Sequence, residues 1–150
     1  MTPLSALRLH HLGLAARDPD VAETFLTAQG FKCHRPIYDP LQKVFLRWCE
    51  RSDSAPIEIV TPTSDEGQLA SVLSQQDSSF YHLCYEVDCH TDEALLRIRE
   101  AGLRVITVRP ALPAVLFGGR SVSFHIIKGF GLVELLESDG VAPHNSPRTP

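Results

Sequence analysis

The 150-residue chain contains no run approaching about eighteen apolar residues without a charge, the length a membrane-spanning helix needs. Its opening, MTPLSALRLHHLGLAARD, also lacks the uninterrupted apolar core of a secretory signal, so a cytoplasmic protein without membrane association is expected. Basic residues are not in excess: 14 Lys and Arg stand against 18 Asp and Glu, a formal charge of -4. No basic cluster is interleaved with aromatics, and a nucleic-acid partner is not expected. The four cysteines, Cys33, Cys49, Cys84 and Cys89, show no C-x-x-C spacing and read as reduced thiols. The chain does have 43% hydrophobic residues, enough for a compact domain to bury a core unaided.

That apolar content is organised as a repeat. HHLGLAARD at residues 10–18 returns as FYHLCYEVD at residues 80–88, with His11 aligned on His82. Each phrase leads into a helix-like run, DPDVAETFLTAQGF and CHTDEALLRIREAGL, which stops at Gly30 and Gly102. Strand-like runs follow in both halves: FKCHRPIY, KVFLRWCER and PIEIVTP in the first, LRVITVRP, RSVSFHII and GLVELLE in the second. The pattern predicts an α+β fold of tandem βαβββ modules, about 8–62 and 80–137, within one domain of residues 1–138. A linking helix is expected over about 64–76 and a mobile tail over 139–150.

Both modules end by setting one glutamate inside an apolar run, PIEIV and LVELL. Strand alternation puts Glu58 opposite Ile57 and Ile59, and Glu134 opposite Val133 and Leu135. Taken singly, each histidine reads as a core imidazole and each glutamate as a solvent-facing residue. The joint recurrence of a histidine at the start and a glutamate at the end of a duplicated unit argues for one shared site. Buried carboxylates need a counter-charge, and a divalent cation supplies one. Two imidazoles and two carboxylates suit Mn, Fe, Co, Ni or Zn.

HHLGLAARDPDVAETF, YHLCYEVDCHTDEALLRIREAGLRVI and GLVELLE together resemble the vicinal oxygen chelate superfamily, the glyoxalase and bleomycin-resistance group, and within it the methylmalonyl-CoA epimerases. The resemblance covers roughly residues 8–137. It implies an open mixed-sheet barrel, a homodimer, and one divalent ion held by His11, Glu58, His82 and Glu134. Two positions depart from the epimerase pattern. Glu58 stands where those enzymes usually carry glutamine, as glyoxalase I carries glutamate. Leu41, in DPLQKVFL, stands where they carry a second catalytic glutamate; Gln42 and Lys43 beside it are read as rim residues.

The chemistry implied is removal of a proton next to a carbonyl, with the ion as Lewis acid toward the enolate. The substrate expected is a small molecule, an acyl-thioester such as an acyl-CoA. Epimerisation needs a proton acceptor on each face, and Glu134 and Glu58 are the candidate pair. Other outcomes of the same fold are a glyoxalase I-like lyase acting on a glutathione hemithioacetal, a binding protein of the antibiotic-resistance kind that turns nothing over, and a ring-cleaving dioxygenase, which a fourth ligand at Glu58 disfavours. Arg120, in FGGRSVSF, reads as a solvated strand-end residue or a contact to substrate carboxylate or phosphate. His125 has no direction assigned by alternation, and His10, one residue from a proposed ligand, is expected to point away from it.

Overall fold

The computed structural model describes residues 4–141. The chain divides into two compact units, residues 9–84 and residues 1–8 with 85–150. Among the described residues, no helix is long and apolar enough to cross a membrane.

The first unit follows the expected order: β1 (Arg8–Ala16), α1 (Pro19–Ala28), β2 (Lys32–Cys33), β3 (Ile37–Asp39), β4 (Val44–Glu50) and β5 (Ile57–Pro62). Asp18 caps α1, accepting from the Asp20 amide at 3.0 Å, and Pro19 supplies a φ already suited to the first turn. Gly30, at φ 90°, ends the helix in a Schellman turn: Gly30 N–H donates to Thr27 O and Phe31 N–H to Leu26 O. Strand β5 runs parallel to β1, with Gly13 beside Glu58, and β4 runs antiparallel to β5, with Trp48 beside Glu58. Strands β2 and β3 both pair with β4.

One face of this sheet packs under α1, where Ala16, Leu26, Phe31, Cys49, Ile57 and Ile59 are buried together. Glu58 alternates with Ile57 and Ile59 and so projects from the opposite face. The run FKCHRPIY is not one strand. Pro36 has no amide hydrogen to donate and disfavours helix at Arg35, and the run splits into β2 and β3 around it. The linking helix, α2 (Gln68–Val72), is shorter than the 64–76 expected: its N-cap, Gly67, provides no side-chain hydrogen bond, and Ser64, Asp65 and Glu66 remain outside it.

Strand β6 (Ser78–Val87) continues from the first unit into the second, which then has α3 (Thr91–Glu100), β7 (Val105–Pro113), β8 (Ser121–Ile127) and β9 (Gly131–Glu137). Gly102, at φ 84°, repeats the stop made by Gly30, with Gly102 N–H donating to Arg99 O and Leu103 N–H to Ile98 O. Strands β7, β8 and β9 form antiparallel ladders, irregular near Arg109 and Pro110, where proline interrupts the donors of β7. Val87, Ala94, Leu95, Ile98, Val133 and Leu135 form the core under α3, so Glu134 lies on the face away from the helix. At the end of the domain, Ser138 N–H donates to Val87 O at 2.8 Å. Residues 142–150, most of the segment expected to be mobile, lie outside the described residues.

Candidate metal centre

Three of the four proposed ligands meet in the first unit. His11 comes from β1, Glu58 from β5 and His82 from β6; the three residues are 0%, 4% and 5% exposed. His11 Nε2 lies 3.8 Å from one carboxylate oxygen of Glu58, and His82 Nε2 lies 3.9 Å from the other. These gaps are too long for hydrogen bonds. They are within the roughly 4.2 Å that separates two donors about 2.1 Å from a common ion on opposite sides of it. One donor atom from each residue falls within 4.8 Å of both others. The His11 and His82 rings stand edge to face, with centroids 5.6 Å apart.

The local backbone makes room for this cluster. Gly13 shares the face of His11 on β1 and lies beside Glu58 on β5. Its missing side chain leaves the space that the His82 ring fills. Trp48, the single tryptophan, is the cross-strand neighbour of Glu58 and meets His11 edge to face at 5.1 Å between centroids. Tyr81 stands edge-on to His82 at 4.4 Å. The donor set, buried and mixed in nitrogen and oxygen, fits a borderline divalent ion. Trp48 and Gly13 were missed by sequence reasoning, although a lone tryptophan and a glycine two residues from a proposed ligand were visible signals.

Glu134 is buried in the second unit, on β9, beside Phe124 of β8. Like Glu58 in the first unit, it lies on the last strand of its module and on the face away from the helix, although Glu58 stands near the start of β5 and Glu134 in the middle of β9. Leu41 is 50% exposed, and its amide donates to Asp39 Oδ1 at 2.9 Å. Asp39 is itself buried and also accepts from the Gln42 amide and from Gln42 Nε2. Gln42 thus braces a turn that Lys43 completes at φ 55°.

Arg120 is neither simply solvated nor open: its Nε donates to Glu137 O at 2.8 Å and its guanidinium pairs with Glu86, which also pairs with Arg8. His125 shares a face with its neighbour Val133, on the helix side of the sheet. Its Nε2 is 2.8 Å from Ser123 Oγ and its Nδ1 3.0 Å from Thr107 Oγ1. Burial, reinforced by the charge of Arg99, lowers its pKa to about 4. His10 does not point away from His11: their Nδ1 atoms are 2.9 Å apart.

A sequence profile described as the Glyoxalase/Bleomycin resistance protein/Dioxygenase superfamily matches residues 10–124, and the chain belongs to this superfamily. Among curated proteins no significant match is found. Methylmalonyl-CoA epimerase from Mycobacterium tuberculosis is similar in structure over 95% of this chain and 94% of its own, with a TM-score of 0.72 and 24% identity. Methylmalonyl-CoA epimerase from Streptomyces coelicolor, solved with 2-nitronate-propionyl-CoA, is similar over 90% of this chain and 99% of its own, with a TM-score of 0.69 and 21% identity. A hypothetical protein from Bacillus halodurans has a TM-score of 0.72 at 22% identity, over 93% of this chain and 99% of its own. At these identities the likeness is one of fold.

Proposed function

We propose that this chain is a divalent-metal-dependent epimerase or isomerase that moves the proton on the carbon next to a carbonyl, with an acyl-thioester such as an acyl-CoA as substrate. The observation that carries the reading is the buried triad: Glu58 sets one oxygen 3.8 Å from His11 Nε2 and the other 3.9 Å from His82 Nε2. Glu134 is proposed as the fourth donor on the strength of the repeat. A divalent ion bound there supplies Lewis acidity toward a substrate oxygen. Glu58 and Glu134 are the carboxylates assigned to accept and return the carbon-bound proton. The superfamily supports an enzyme of this type, and the acyl-CoA assignment draws on the epimerase neighbours.

The carboxylate at Glu58 favours a second reading, a lyase acting on a glutathione hemithioacetal. Metal analysis of untagged protein comes first, with about one divalent ion per chain expected among Co, Ni, Mn, Zn and Fe. Exchange in deuterated water then separates the readings. Deuterium entering the α-carbon of an acyl-CoA supports the epimerase; turnover of the hemithioacetal alone supports the lyase. A protein that takes up no metal and exchanges neither substrate contradicts both. The assembly proposed is a homodimer, which light scattering at micromolar concentration contradicts if it returns a single chain of 16.6 kDa.

A further inference from the structure

His10 is the one imidazole at the triad that the proposed reaction does not use. Neighbouring strand residues project to opposite faces, yet its ring closes on that of His11, with centroids 5.2 Å apart and planes nearly perpendicular. Both rings lie against Trp48, at 5.7 Å for His10 and 5.1 Å for His11. The Nδ1–Nδ1 separation of 2.9 Å requires one nitrogen to donate and the other to accept.

Which one donates decides what His11 offers on its far side. A neutral imidazole with its proton on Nδ1 has its lone pair on Nε2, and Nε2 is the atom of His11 that faces Glu58. With the proton on Nε2 instead, that nitrogen would bring a hydrogen where a metal donor is needed, across a 3.8 Å gap that makes no hydrogen bond to Glu58. Metal-ligating histidines are commonly oriented by an acceptor on the other ring nitrogen.

We propose that His10 is a positioning residue: its Nδ1 accepts a hydrogen bond from Nδ1–H of His11 and so fixes the tautomer and ring plane that present Nε2 to the ion. This rests on the metal reading given above. It assigns His10 no contact with substrate and no ligand role.

The test compares His10→Asn, which keeps an acceptor, with His10→Phe, which keeps a ring and loses it. Nitrogen-15 NMR of the full-length apo protein should show the His11 proton on Nδ1 in the wild type and a mixture of tautomers in His10→Phe. Titration with Co(II) should give affinity 10–100-fold weaker for His10→Phe, about the loss seen when such partners are removed, and near wild type for His10→Asn. His10→Leu and His10→Gln repeat the contrast if the Phe variant does not fold. A wild-type proton on His11 Nε2, or unchanged Co(II) affinity in His10→Phe, overturns the positioning role and leaves the metal site standing. A wild type that binds no Co(II), and is indistinguishable from His82→Ala, overturns the metal reading itself. A thiolate-to-cobalt absorption band also overturns the proposal, because it would place the ion on His10, His11 and Cys84, whose donor atoms likewise lie within 4.8 Å of one another.

Discussion

Gly13 and His82 occupy one volume: a Cβ at position 13 would lie 2.0 Å from Cε1 of the His82 ring, 2.2 Å from Nδ1 and 2.5 Å from Nε2. No rearrangement of a few tenths of an ångström relieves such an overlap, so Gly13→Ala must move the ring or the strand. Overpacking of this kind destabilises by about 1–3 kcal/mol. The expected outcome is a folded protein with a lower thermal midpoint and Co(II) affinity at least about 100-fold weaker, the scale of loss also expected for His82→Ala. Wild-type affinity in both Gly13→Ala and His82→Ala would show that His82 is no ligand.

Glu58 is assigned two duties, and amide substitution separates them. Glu58→Gln keeps an oxygen donor in nearly the same place and removes the proton acceptor. Metal content should stay near one ion per chain, while exchange of the α-proton falls by about 100-fold or more, the scale of general acid–base contributions. One enantiomer of a suitable substrate should still exchange if Glu134 serves the other face. Full epimerase activity in this variant would make Glu58 a ligand only and point to a base in the turn around Asp39.

The repeat makes the strands and helices that carry these residues legible in the sequence. His11 and His82 lie near the middle of β1 and β6, Glu58 and Glu134 sit opposite the apolar positions that pack under α1 and α3, and Gly30 and Gly102 end those helices in the same way. Periodicity carries such information because each strand has one face committed to a core. It does not carry the direction of a long side chain. His10 was assigned to the far face by alternation, which fixes Cβ and not the ring nitrogens beyond it. His125 falls on the helix side because it pairs with Val133, whose face packs under α3; there it meets Ser123, two residues earlier on β8, and Thr107 across the irregular β7–β8 ladder, a register that no local pattern announces. Arg120 likewise meets Glu86, far away in sequence.

Glu137 holds the start of α3 from a distant strand. Its Oε1 accepts from the Thr91 amide at 2.8 Å and from Thr91 Oγ1 at 2.9 Å, and both residues are buried. The side chain of the N-cap, His90, makes no capping hydrogen bond, so the carboxylate takes over the capping role. Glu137→Ala leaves a buried amide without this acceptor and should destabilise by about 1–3 kcal/mol. Urea denaturation measures the loss. Co(II) affinity should be unchanged, which separates this glutamate from Glu58.

His125 should make the fold sensitive to acid. Its pKa is lowered from an ordinary 6.5 to about 4, by burial first and by the charge of Arg99 second. Between those two values the unfolded chain binds a proton that the folded chain refuses, so stability falls as pH drops from 6.5 toward 4 and is level above that window. Each pKa unit corresponds to about 1.4 kcal/mol, which makes the full loss on the order of 3 kcal/mol. The hydroxyls of Ser123 and Thr107 serve a neutral ring, whose two nitrogens need one donor and one acceptor between them. His125→Gln keeps hydrogen-bonding capacity and cannot charge. Its unfolding free energy at pH 7 should lie below that of the wild type, because the packing is poorer, and should change less between pH 7 and pH 4.5. Parallel pH profiles for the two proteins would show that His125 does not carry the acid sensitivity.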